Sequence, residues 1–157
     1  MSSCSKGNNI FYEAIAHCRW KGVLYNTLKD IDINLKNGYF KNKTFEDIII
    51  EIYNICINVK GLGMLTVYDI TSAICRYYKI NIDKVFIIGN GPKRAVELLN
   101  VKTKLYKIKN KITIHYVDIN DIINAFDKNN LELNENIRNC KNGDTFESFI
   151  CNWQKTK

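Results

Sequence analysis

Two glycine-rich turns carry the residues best suited to chemistry in this chain. The first is Val59-Lys60-Gly61-Leu62-Gly63-Met64-Leu65-Thr66 and the second is Gly89-Asn90-Gly91-Pro92-Lys93-Arg94. Each precedes an apolar helical pattern and holds a cation beside its glycines. A helix leaves its first amides without intrahelical partners, and its dipole places positive potential there. Glycine before such a start removes the side chain that would block an anion, so each turn has the makings of a phosphate grip. The candidate contacts are Lys60, Gly61, Leu62, Gly63 and Thr66 in the first turn and Gly89, Gly91, Lys93 and Arg94 in the second. The second turn matches neither G-x-x-x-x-G-K-[ST] nor G-x-G-x-x-G, so it is not a nucleotide-binding fingerprint. Each turn also has a plain structural reading: a tight helix–helix connection for the first, a helix end followed by a helix start for the second.

Helices must position the first turn. Before it, Ile48, Ile49, Ile52, Ile55, Cys56 and Val59 recur at the spacing of one helix face; after it, Leu65, Tyr68, Ala73, Ile74 and Tyr77 do the same. Thr44, with Asp47 three residues on, predicts a capping box at the start of the first helix. The second is expected to end near Tyr78 and Lys79. A connection this short sets the two helices side by side.

Residues 44–79 resemble the helix-hairpin-helix motif of DNA-binding and DNA-repair proteins. That pattern runs from a hydrophobic helix through Pro-Gly-hydrophobic-Gly, two variable residues and Thr-Ala into a second hydrophobic helix. Here it reads Lys60-Gly61-Leu62-Gly63-Met64-Leu65-Thr66-Val67, continued by Ile70 and Ile74. Lys60 replaces the common Pro. Val67 replaces the usual Ala, a small residue that lets the helices approach closely. The resemblance implies phosphate binding by the hairpin amides, a monovalent cation at the hairpin and double-stranded DNA as partner. Helix-hairpin-helix units also serve as protein–protein adaptors, which gives an alternative reading with a protein partner.

A third reading, a small repair enzyme, comes from the glycosylases of the same superfamily. In those enzymes an essential Asp follows the second hairpin glycine by the separation that divides Gly63 from Asp83. A carboxylate there would stabilise the cationic sugar as a flipped base leaves. The lysine of bifunctional members is absent, since Met64 and Leu65 stand in its place, and Asp83 equally suits a cap or turn. The balance leans away from an enzyme.

Elsewhere the chain offers little reactive chemistry. Its six cysteines include no C-x-x-C pair, and His17 and His115 stand far apart, so no metal site or disulfide framework is expected. The net charge of +7 and sequence pI near 9.1 suit a polyanionic partner, although Lys, Asn and Ile enrichment also follows from an AT-rich genome. The lysines at 102, 104, 107, 109 and 111, with Tyr106 among them, read either as a backbone-tracking face or as a protected sheet edge.

With 157 residues, 46% hydrophobic and 25% charged, the expectation is one mainly α (α+β) globular domain over 9–157 behind a loose tail, 1–8. No apolar run approaches the ~20 residues of a membrane span, and no signal-peptide core follows Met1, so an intracellular, cytoplasmic address without membrane is expected. Ile10, Phe11, Ala14, Ile15 and Cys18 give a helical stripe that bends near Gly22. Ile31 to Leu35 alternates like a strand or connector before a turn at Asn37-Gly38. Val85 to Ile88 fits a strand or a buried helix end, and Pro92 the first position of a helix. Residues 104–117 alternate as a β-hairpin about Lys109-Asn110-Lys111; a helix capped by Asp118 or Asn120 follows. Residues 127–143 read as irregular, ahead of a last helix bearing Phe146, Phe149, Ile150 and Trp153, both tryptophans being taken as core.

Overall fold

The computed structural model describes residues 21–59 and 61–157, the first eight of them through their backbone only. The expectations for the tail, for the stripe from Ile10 to Cys18, for His17 and Trp20, and for Lys60 lie outside the described residues. Among those described, seven helices accompany one small antiparallel sheet, the mainly α (α+β) class expected. The residue contacts cluster into two units divided between Ile80 and Asn81, where the sequence reading placed one domain. No glycine- or proline-rich linker marks that division.

The first unit contains α1 (Lys21–Lys36), α2 (Phe45–Cys56) and α3 (Met64–Tyr78). Helix backbone runs through Gly22, where a bend was expected, and continues through the apparent Ile31–Leu35 alternation. Burial explains the difference: Ile31 and Leu35, four apart, are buried, whereas Ile33 is 48% exposed. A period near 3.6 won over a period of two. Helix α1 ends in a Schellman motif, with Gly38 at φ +76°, Tyr39 N–H donating to the Asn34 carbonyl and Gly38 N–H to that of Leu35.

Helix α2 begins as the sequence predicts. The Thr44 hydroxyl accepts from Asp47 N–H at 3.2 Å and the Asp47 carboxylate accepts from Thr44 N–H at 3.3 Å. Its buried face is Phe45, Ile48, Ile49, Ile52 and Cys56, packed on α3, which buries Val67, Tyr68, Ile70, Ala73, Ile74 and Cys75. The Phe45 and Tyr68 rings meet edge-on at 6.5 Å. Leu65 and Tyr77, expected on that face, are instead 50% and 44% exposed, because the buried stripe runs through 67, 70 and 74. Lys79, left-handed at φ +56°, closes α3 through a second Schellman motif, and the Tyr78 hydroxyl donates to the Leu35 carbonyl. Burial raises the Tyr78 phenol above its ordinary pKa.

The second unit contains β1 (Lys84–Phe86), α4 (Asn90–Leu98), β2 (Lys104–Ile108), β3 (Ile112–Asp118), α5 (Ile119–Lys128), α6 (Glu135–Cys140) and α7 (Gly143–Gln154). The strand order is β1-β3-β2, all antiparallel, with Val85 opposite Val117 and Tyr106 opposite Ile114. The expected hairpin is present. Lys109 and Asn110 both take positive φ at its turn, and Lys111 N–H donates to the Ile108 carbonyl. Helix α4 starts at Asn90, so Pro92 is its third residue and not its first. Residues 127–143, expected irregular, hold α6, capped by the Asn134 side chain.

Val85, Val117, Ala95, Val96, Ile122, Phe126, Phe146 and Ile150 share the core of this unit, with Trp153 packed against it, its ring 5.3 Å from that of Phe126. Trp153, expected to fill core, is half-buried and packs against its edge. Burying each such large side chain contributes about 1.5–3 kcal/mol.

Candidate nucleic-acid interface

Six helices, α2 to α7, have a described N-cap, and they divide into two kinds, α6 with its Asn134 cap and Glu135 belonging to the first. Helix α2 is closed by Thr44 with Glu46 and Asp47 in its first turn; α5 begins at Asp118 with Asp121, whose carboxylate accepts from Asp118 N–H at 3.3 Å. Helix α7 is capped by Asn142 with Asp144 behind it. Carboxylates and capping oxygens there satisfy the amides and repel an incoming anion. Helices α3 and α4 differ: their N-caps are Gly63 and Gly89, with no side-chain cap and no acidic residue in the first turn. Among the helices with a described N-cap, the two glycine-rich turns of the sequence are therefore the open starts.

At the first turn, Gly61 adopts φ +90°, a left-handed region that side chains rarely occupy. Leu62 N–H donates back to the Val59 carbonyl at 3.3 Å, which tightens the connection. Gly63 has extended backbone, and a Cβ built on it meets nothing within 4 Å. The first turn of α3, Met64 to Thr66, therefore begins without a side-chain cap behind an unobstructed glycine. Thr66 is half-buried and Leu62 likewise. Val67, a larger residue than the small one of the resembled motif, is 2% exposed, and α2 and α3 pack together around it.

The second turn is more heavily committed to structure. Gly89 takes φ +87°, but a Cβ at Gly91 would stand 2.5 Å from the Cys151 Sγ, so Gly91 is a close-packing glycine against α7. Pro92 has no amide to offer. The Arg94 guanidinium donates to the Gln154 Oε1 at 3.2 Å and the Lys157 carbonyl at 3.0 Å. Lys93 is exposed. Of this turn, Lys93 and the amides of Asn90 and Gly91 remain for an anion.

Asp83 lies just before β1 with its side chain 74% exposed and its carboxylate 3.4 Å from the Lys84 ammonium. The dry pocket that a glycosylase-type carboxylate requires does not surround a side chain this open. Lys84 itself lies over the Tyr106 ring at 4.6 Å.

The lysine run does not form one face. Lys104 and Tyr106 share a side of β2, Lys107 points to the other, and Lys109 and Lys111 sit in the turn. β2 is an edge strand, where lysines discourage pairing with another chain.

One feature escaped the sequence reading. In the second unit a cleft of about 440 Å³ opens between α5 and the segment 99–104. Helix α5 contributes Asp121, Asn124, Ala125, Lys128 and Asn129, and the segment contributes Leu99, Asn100, Val101, Lys102 and Lys104. The available signal was the spacing of 121, 124, 125, 128 and 129, one helix face that is polar while the opposite one carries Ile122 and Phe126.

Among the described residues no three His, Cys, Asp or Glu side chains are grouped to hold a metal ion, and no helix is long and apolar enough to cross a membrane. Comparison with family models, with curated proteins and with solved structures returns no match for this chain.

Proposed function

We propose that this chain binds DNA, gripping backbone phosphates at the turn between α2 and α3 largely without regard to sequence. The supporting observation is the open start of α3: Gly61 in a left-handed turn, Gly63 as an uncapped N-cap with free space before it, and no carboxylate in the first turn. An anion there accepts hydrogen bonds from backbone amides at the positive end of the helix dipole. Such contacts fix a protein on the duplex and read no bases. The net charge of +7 supplies attraction to double-stranded DNA, and Lys60 adjoins Gly61 in the sequence. The monovalent cation that the resemblance implies would take backbone carbonyl oxygens of the same turn, and phosphate binding by the amides stands without it. Titration of short duplexes with the protein across a salt series tests this: affinity falls steeply with salt if phosphates are neutralised, and a flat response contradicts it.

A second reading is favoured by one observation. Ile57 and Leu65, on either side of the turn, are 57% and 50% exposed. In an adaptor these side chains would seat against a partner chain, and binding would then survive high salt. Catalysis by Asp83 finds no comparable support in its exposed setting.

A further inference from the structure

We propose that the cleft between α5 and the segment 99–104 is a nucleotide site, recognising a phosphomonoester joined to a polar, hydrogen-bonding body. This site lies wholly within the second unit and does not depend on the hairpin reading. The α5 side over the cleft carries the half-buried Asp121 and the exposed Asn124 and Lys128 beside the buried Ala125.

The cleft's charges fall into two sets. Lys104 is held by Asp118, at 2.5 Å, and by Asp121, at 3.7 Å, and those carboxylates raise its pKa. This group is neutralised and builds the wall. Lys102 and Lys128, from the two opposing elements, have neither ion pair nor hydrogen bond among the described residues, and both are exposed. A phosphomonoester carries about −1.5 to −2 charge at pH 7, which two lysines match and a carboxylate does not. Beyond a phosphate, a volume of about 440 Å³ has room for a sugar and base, within the ordinary size of ligand pockets. The buried Leu99 and Ala125 give an apolar floor for a ring. The unpartnered Asn124 amide offers one donor and one acceptor, the pairing that matches a base edge. Asn129 is less available, because its side-chain amide donates to the Ala125 carbonyl at 2.7 Å.

The shared chemistry fits a free nucleotide or the 5′-phosphorylated end of a nucleic-acid strand, and the test separates them. The full chain is titrated by calorimetry or amide chemical shift with 5′-AMP, adenosine, inorganic phosphate and a short 5′-phosphorylated oligothymidylate. The same titrations are made on Lys128→Gln, Asn124→Ala and a control, Lys155→Gln, all exposed positions. Saturable 5′-AMP binding that exceeds both adenosine and phosphate, and weakens about tenfold in Lys128→Gln with the control unchanged, supports the site with a free nucleotide. Oligothymidylate binding that weakens in Lys128→Gln and Asn124→Ala, without 5′-AMP binding, supports it with a strand as the source. Absence of saturation for every probe at ~5 mM overturns the proposal, as does binding indifferent to both variants.

Discussion

Gly143 seats helix α7 directly on strand β1: its amide donates to the Ile82 carbonyl at 2.6 Å, and a Cβ at position 143 would stand 1.7 Å from the carbonyl oxygen of Lys84. No rotamer change relieves a collision between backbone and a methyl group. Gly143→Ala is therefore expected to destabilise the second unit by about 3 kcal/mol, at the upper end for overpacking. Denaturant unfolding checks this, and an unchanged midpoint would contradict the close approach.

One helix end and the hairpin turn invite the opposite change. Lys79 and Asn110 hold positive φ without being glycine. Lys79→Gly and Asn110→Gly each remove a strained conformation and are expected to raise stability by about 0.5–1 kcal/mol, read as a higher melting temperature. Gly61→Ala, at φ +90°, moves the other way by about 1 kcal/mol or more.

Much of this was written in the local sequence. Thr44 and Asp47 announced the start of α2, and Lys109 and Asn110 announced the hairpin, because capping and turn chemistry act within a few residues. Composition gave less away. Asn100, Asn110 and Asn130 look like base-composition bias, yet each occupies a left-handed position, two of them closing α4 and α5 through bonds from Val101 to Val96 and from Leu131 to Phe126. Ile31 to Leu35 misled because five residues satisfy both periods. The short α6 has no buried residue of its own to give a stripe. The division after Ile80 and the cleft over α5 depend on contacts between distant segments, which spacing does not encode. For the candidate site, the sequence identified both glycine turns; only the structure separates the open Gly63 from the packed Gly91.

Acid should weaken the link between α5 and α6. Arg138 donates two hydrogen bonds to Asp127, at 2.7 and 3.1 Å, and they hold that carboxyl below its ordinary value of 3.8. A depressed folded pKa gives stability that is present above the unfolded value and is lost as pH falls through the folded one. Unfolding measured from pH 6 downward should show wild-type stability declining below about 4, with Asp127→Asn flatter over the same window. Added salt should shrink the difference, since both groups reach solvent. Identical acid profiles would remove this pair from the account.

The central claim is that the open start of α3 grips phosphate, and Gly63→Asp separates that claim from any structural role of the glycine. A Cβ at this position meets open space and the backbone is extended, so the substitution fits. Aspartate is a better N-cap than glycine and should raise stability by a few tenths of a kcal/mol, about 0.3, while placing a negative charge where the phosphate would sit. We would titrate a short duplex with wild type and Gly63→Asp over a salt series, alongside their unfolding curves. The account predicts a steep salt dependence in wild type and binding lost from a variant at least as stable. Equal affinity in a folded Gly63→Asp protein, or binding indifferent to salt, would contradict the phosphate grip and turn attention to Ile57 and Leu65 as a surface for a protein partner.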